Sequence, residues 1–128
     1  MKLLLDTHLL LWAAGDADKL SATTRLLLEA PENRLFFSAA SIWEIMIKNG
    51  IGRQDFRVDA RALRQGLLDN GYEELAIASE HAVALDILPN IHKDPFDRIL
   101  VAQAITEAIT LLTTDSLVAQ YPGPIRLV

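Results

Sequence analysis

At 128 residues, 51% of them hydrophobic, the chain has enough apolar side chains for the core of one ordinary domain, which excludes an intrinsically disordered segment. With no cysteine, it has neither a disulfide framework nor a thiolate metal site, and it suits a reducing compartment. The net charge of −5 argues against a nucleic-acid partner only superficially, because the charge is segregated: Lys48, Arg53, Arg57, Arg61 and Arg64 are interrupted only by Asp55 and Asp59, whereas residues 65–92 hold five acids and no Lys or Arg.

In chain order, Lys2–Leu5 is a continuous apolar run of the kind expected for a buried parallel strand. Asp6 and His8 interrupt what would otherwise resemble the apolar region of a signal peptide, so a soluble cytoplasmic protein is expected. A helix is predicted over Thr7–Ala14, ending at Gly15, and a second after Ser21, running to Glu29 and closed by Pro31. Arg34–Phe37 reads as a strand, followed by a helix from about Ala39 to Asn49. Asp59–Asn70 has a helical pattern with Gly71 as its stop, Tyr72–Ile77 a strand pattern, and Glu80–Leu88 a short helix. Asp94-Pro95 opens a helix as cap and first residue, and that helix runs to about Ala108. Strand Ile109–Thr113, a helical turn over Ser116–Gln120 and strand Ile125–Val128 complete the chain. Strands alternating with helices imply a three-layer α/β/α sandwich, one domain over 1–128, around a mainly parallel sheet of about five short strands.

In such sheets ligands bind beyond the carboxyl ends of the strands. Asp6 and Asp115 each follow a strand, Glu44 lies early in a helix after a strand, and Asp97 lies in a first helical turn. Each acid has an ordinary reading by itself: a strand-end turn for Asp6, a capping box from Ser41 to Glu44, and helix-dipole stabilisation for Asp94 and Asp97. Together they are harder to dismiss. Asp6 and Glu44 are embedded in apolar sequence, where an unpaired carboxylate is costly and a cation would offset it. Oxygen ligands without cysteine or a paired histidine motif suit Mg²⁺ or Mn²⁺ rather than zinc. His8, His81 and His92 are isolated in sequence, and His81 reads as a helix-surface residue.

Four blocks carry a resemblance: Leu5-Asp6-Thr7-His8, Ser38–Ile45, His92-Lys93-Asp94-Pro95-Phe96-Asp97-Arg98, and Thr113-Thr114-Asp115. In this order they resemble the signature blocks of VapC-type PIN-domain toxins, over essentially the whole chain. The resemblance implies Asp6, Glu44, Asp97 and Asp115 as catalytic, metal-binding acids with Mg²⁺ or Mn²⁺, and hydrolysis of RNA phosphodiester bonds. It also implies neutralisation by a cognate VapB-like antitoxin, and a homodimer. Two departures are visible: Thr114 stands where many relatives carry Arg, and Leu117 where many carry an aromatic residue.

Asp94 as a helix cap, and Thr7, Thr114 and Ser116 as orienting groups, are expected to support the acids. Lys48, Arg53, Arg57, Arg61 and Arg64 are candidate RNA contacts, with Arg57, Arg61 and Arg64 spaced to share one helix face. A solvated face is the competing reading. Trp12 and Trp43 are expected in the core rather than as base-stacking platforms. The rival functions are a Mg²⁺-dependent phosphatase or phosphoryl-transfer domain, and a catalytically inactive PIN-like interaction module. A haloacid-dehalogenase-type site would want a second Asp two residues after Asp6, where His8 stands, and a receiver domain would want paired acids.

Overall fold

The computed structural model describes residues 1–51 and 57–128. Five strands form one all-parallel sheet in the order β3-β2-β1-β4-β5: β1 (Lys2–Leu5), β2 (Arg34–Ser38), β3 (Glu73–Leu75), β4 (Thr110–Thr113) and β5 (Ile125–Leu127). The sheet twofold alternation sorts the core. Leu3, Leu5, Phe37 and Leu112 point to one face, where α1 (Thr7–Gly15), α2 (Ala22–Glu29), α3 (Ala39–Gly50) and α4 (Ala60–Asp69) supply Leu9, Leu10, Ile45 and Leu63. Leu4, Phe36 and Leu111 point to the other, covered by α5 (Ser79–Ala84) and α6 (Pro95–Glu107) through Leu100, Val101 and Ala104. The central strand is therefore apolar on both faces, and the run Leu3-Leu4-Leu5 is wholly buried. This is the expected α/β/α sandwich.

Helix ends follow their caps. Asp6, Ser21, Asp59 and Asp94 each accept a hydrogen bond from a first-turn amide, satisfying donors that the helix cannot. Gly71, at φ +86°, turns the chain from α4 into β3. The predicted Glu80–Leu88 helix is shorter than expected, with α5 giving way to a 3₁₀ turn at Leu85–Ile87. β3 keeps only three residues of the predicted Tyr72–Ile77 strand, as suits an edge strand that pairs on one side.

Four expectations need correction. The helix after β2 is capped by Ser38, whose hydroxyl accepts from the Ala40 amide, so Ser41 lies inside α3 and its capping box with Glu44 does not form. Trp43 is 59% exposed rather than in the core, because it lies on the outer side of α3 from Ile45. His81 is 1% exposed: its Nδ1 accepts the Ala78 amide proton and its Nε2 lies 3.0 Å from Glu107 Oε1, tying α5 to α6. Arg57 precedes α4, which starts at Ala60, so it does not share a helical face with Arg61 and Arg64.

Candidate metal centre

β1 is the point where the chain changes direction across the sheet, with β2 on one side and β4 on the other. A crevice at the carboxyl ends of neighbouring strands is expected there. Asp6 leaves β1 and caps α1, Glu44 comes from α3 beyond β2, and Asp115 follows β4. α6 runs back against the strands, so its first turn brings Asp97 to the same end. Elements separated by most of the chain thus deliver the four acids to one edge.

The acids differ in how they are held. Asp6, 6% exposed, accepts the Leu9 amide at 2.9 Å on Oδ1 and the Thr113 hydroxyl at 2.7 Å on Oδ2. Burial raises its pKa, and those hydrogen bonds oppose the rise. Glu44, 4% exposed, has Oε1 2.6 Å from the Thr7 hydroxyl and Oε2 2.8 Å from Lys48 Nζ. The Thr7 oxygen is also 3.0 Å from Ser41 Oγ. Lys48, a candidate RNA contact from sequence, thus forms an ion pair within α3.

Asp97 and Asp115 are more open. Their Oδ2 atoms lie 3.2 and 3.3 Å from His92 Nε2. Ligand atoms of His92, Asp97 and Asp115 all fall within 4.8 Å of one another, close enough for one metal ion. The Asp97 pKa is pushed up to about 7, first by burial and then by the negative charge of Asp94 and Glu44, with a smaller contribution from Asp6; only His92 opposes. Asp97 therefore senses Asp94, Glu44 and Asp6, with His92 as the one opposing charge. Asp94 itself caps α6, accepting from the Phe96 and Asp97 amides.

Two contributors escaped the sequence reading. His92 joins the cluster because the loop before α6 folds over it: the Asp94 amide donates to His92 Nδ1, and Tyr121 Oη bonds both the amide and the carbonyl of His92. With Nδ1 accepting, the proton of a neutral imidazole sits on Nε2, facing the two carboxylates. Thr113 donates to Asp6 and accepts from the Asp115 amide, linking the two strand ends. It is the buried threonine of the pair; Thr114 and Ser116, picked from sequence, are exposed. Strand alternation was the available signal, since the residue before Thr114 must face inward.

Of the remaining candidate RNA contacts, Arg57 and Arg61 are exposed, Arg64 is 3.3 Å from Glu74, and Arg53 lies outside the described residues. A second group, Glu80, His81 and Glu107, has ligand atoms equally close together. There the Ala78 amide occupies Nδ1 and leaves the proton on Nε2 against Glu107, an arrangement that satisfies the histidine without a metal.

The fold recurs among solved structures. A solved VapBC2 complex from Rickettsia felis, bound to a promoter DNA fragment, includes a chain similar to this one with a TM-score of 0.72 and 16% identity, over 99% of this chain and 98% of that one. VapBC-1 from nontypeable Haemophilus influenzae is similar with a TM-score of 0.62 and 20% identity, over 94% and 91%. No match is found among curated proteins. The family model described as PIN domain matches residues 3–123, from the first strand to the turn before the last, and on that match the chain belongs to the PIN domain family.

Proposed function

We propose that this chain is a Mg²⁺- or Mn²⁺-dependent endoribonuclease, the toxin of a VapBC-like pair, acting in the cytoplasm as a homodimer and neutralised by a cognate antitoxin. PIN domains are generally nucleases, and the neighbours named above are toxin–antitoxin complexes. The observation that carries the reading is the cluster of His92, Asp97 and Asp115, whose ligand atoms lie within 4.8 Å of one another, with Asp6 and Glu44 close enough to raise the Asp97 pKa. Asp6, Glu44, Asp97 and Asp115 are the proposed catalytic and metal-binding acids. Among the described residues no helix is long and apolar enough to cross a membrane.

The donor set fits a hard divalent cation: carboxylate oxygens dominate, and the pKa of Asp97 is raised first by burial and then by neighbouring negative charge, which such an ion would offset. Asp97 and Asp115, the open pair, would hold it together with Asp6, and Glu44 would add charge from the α3 side. When bound, the ion supplies a water of lowered pKa and a counter-charge for the phosphodiester. The chain's own residues do the positioning. Leu9 N–H and the Thr113 hydroxyl fix both oxygens of Asp6. The Thr7 hydroxyl and Lys48 fix those of Glu44, so neither acid must reorganise. The Leu117 amide orients Asp115 through Oδ1.

The direct test is incubation of purified chain with total RNA in Mg²⁺ or Mn²⁺, against the same mixture with EDTA. Cleavage confined to the metal-containing samples is expected. No cleavage in any of them would sink the nuclease reading.

A further inference from the structure

Trp43 is the exposed residue that the fold least explains. Its side chain is 59% exposed, although it precedes the deeply buried Glu44 in α3. The indole is not loose: it meets the Phe96 ring edge-on, with centroids 5.2 Å apart and planes at 81°. Phe96 is itself half-buried, and its amide is held at 2.8 Å by the Asp94 carboxylate. The pair therefore bridges α3 and α6 at the positions immediately before Glu44 and Asp97. The ring is thus exposed yet seated against a residue of the helix that carries Asp97.

We propose that Trp43 is a stacking platform for an unpaired base of an RNA strand whose backbone runs past the acid site. This inference rests on the nuclease reading above. The ring is in contact with Phe96, the residue before Asp97, so it lies on the α6 side of the acid site, where a strand bound at Asp97 would pass. Stacking is tolerant of base identity because every base has a π-face, so Trp43 would favour single strands over duplexes, whose bases are already stacked. Ordering by Phe96 lowers the entropy cost of binding on the ring. The chemistry of the remaining exposed α3 side chains is different. Met46, Ile47 and Ile51 continue the apolar stripe away from the acids, and aliphatic groups offer a base no ring. A second copy of the chain is the rival occupant for the whole stripe.

The test uses equilibrium binding in EDTA, so that no cleavage is required. Fluorescence anisotropy is measured with an unstructured, labelled oligoribonucleotide of about 20 nucleotides, with its duplex, and with an oligomer of the same length lacking bases. Wild type should prefer the single strand. Trp43→Ala should weaken single-strand binding by about tenfold or more, and Trp43→Phe should restore most of it, while binding of the duplex and of the abasic oligomer stays unchanged. Equal affinity of wild type and Trp43→Ala for the single strand overturns the proposal. So does an equal loss on the abasic oligomer, or no preference of wild type for bases. Sedimentation of the same proteins adds a separate outcome: a dimer that Trp43→Ala converts to monomer, with RNA affinity intact, assigns the ring to contact between copies. Metal-dependent cleavage by wild type, measured separately, keeps failure of this inference distinct from failure of the nuclease reading.

Discussion

The two halves of the acid site are built on opposite principles. On one side, Asp6 and Glu44 are buried and every carboxylate oxygen has a donor: an amide and a hydroxyl for Asp6, a hydroxyl and an ammonium for Glu44. On the other, the Asp97 and Asp115 side chains are 22% and 39% exposed and share one imidazole proton between them. The first half has a donor for every oxygen; in the second, burial and the charge of Asp94, Glu44 and Asp6 raise the Asp97 pKa with only His92 opposing. Burial alone does not distinguish a structural acid from a reactive one; what distinguishes them is whether the fold supplies the counter-charge.

The sharpest way to break this contrast is to replace one acid from each half. Asp6→Asn and Asp97→Asn should each reduce metal-dependent RNA cleavage by at least about a hundredfold, the scale on which metal sites respond to the loss of a supporting group. Retention of wild-type rates by both would remove the acids from the chemistry. Their stabilities should diverge. Asn at position 6 sets an amide NH₂ against one of two donors, costing about 1–3 kcal/mol, readable as a lower urea midpoint.

Thr113→Val tests the link between the halves, because its hydroxyl serves Asp6 and the Asp115 amide at once. A cost of about 1–3 kcal/mol is expected, with a fall in activity despite four intact acids. Thermal melts and cleavage rates check it together; a neutral substitution would make Thr113 a bystander.

Cation binding should be visible without RNA. If Mg²⁺ binds with a Kd near 1 mM, about 10 mM should stabilise the wild type by roughly 1.4 kcal/mol, a melting shift of about 5 °C. Asp97→Asn should lose this response. A wild type blind to Mg²⁺ and Mn²⁺ would contradict the metal assignment.

The pH dependence isolates Asp97. The folded pKa of Asp97 is raised to about 7 from its ordinary value of 3.8, so in EDTA its contribution turns unfavourable as pH climbs past about 4 and levels off near 7. Asp97→Asn lacks this loss, and should gain stability over wild type progressively between those limits. Parallel urea midpoints for the two proteins from pH 4 to 8 would show that the repulsion is absent. The smallest effect belongs to the basic surface. Arg61→Gln with Arg64→Gln should flatten the salt dependence of RNA binding slightly, since each lost phosphate contact removes about one released counterion. An unchanged slope would leave Arg61 and Arg64 as a solvated face, consistent with the Arg64–Glu74 pair.

What the sequence made legible depended on how local the signal was. Apolar runs and capping residues are local, so β1, the start of α6 at Asp94-Pro95 and the stop at Gly71 lie where expected. The convergence of Asp6, Glu44, Asp97 and Asp115 followed from parallel topology, since each sits just beyond the carboxyl end of a strand or at the start of an antiparallel helix. Long-range side-chain geometry carried no such signal. His92 looked isolated because its partners are contributed by another loop and by the first turn of α6. His81 looked exposed because a six-residue helix has too few positions to define a buried face. Trp43 was placed in the core on residue type, which says that a ring is usually covered but not that this one is.

The hydrogen bond from Thr113 to Asp6 closes a loop of 107 residues, and it can form only when β4 docks beside β1. One of the two neighbours of β1 therefore comes from near the other end of the chain. Pairings of such separation slow folding, because loop-closure entropy precedes any gain from contact. The acid site depends on the same pairing, because Asp97 and Asp115 come from the final third of the chain. A site wired in this way is incomplete wherever β4 is not paired with β1.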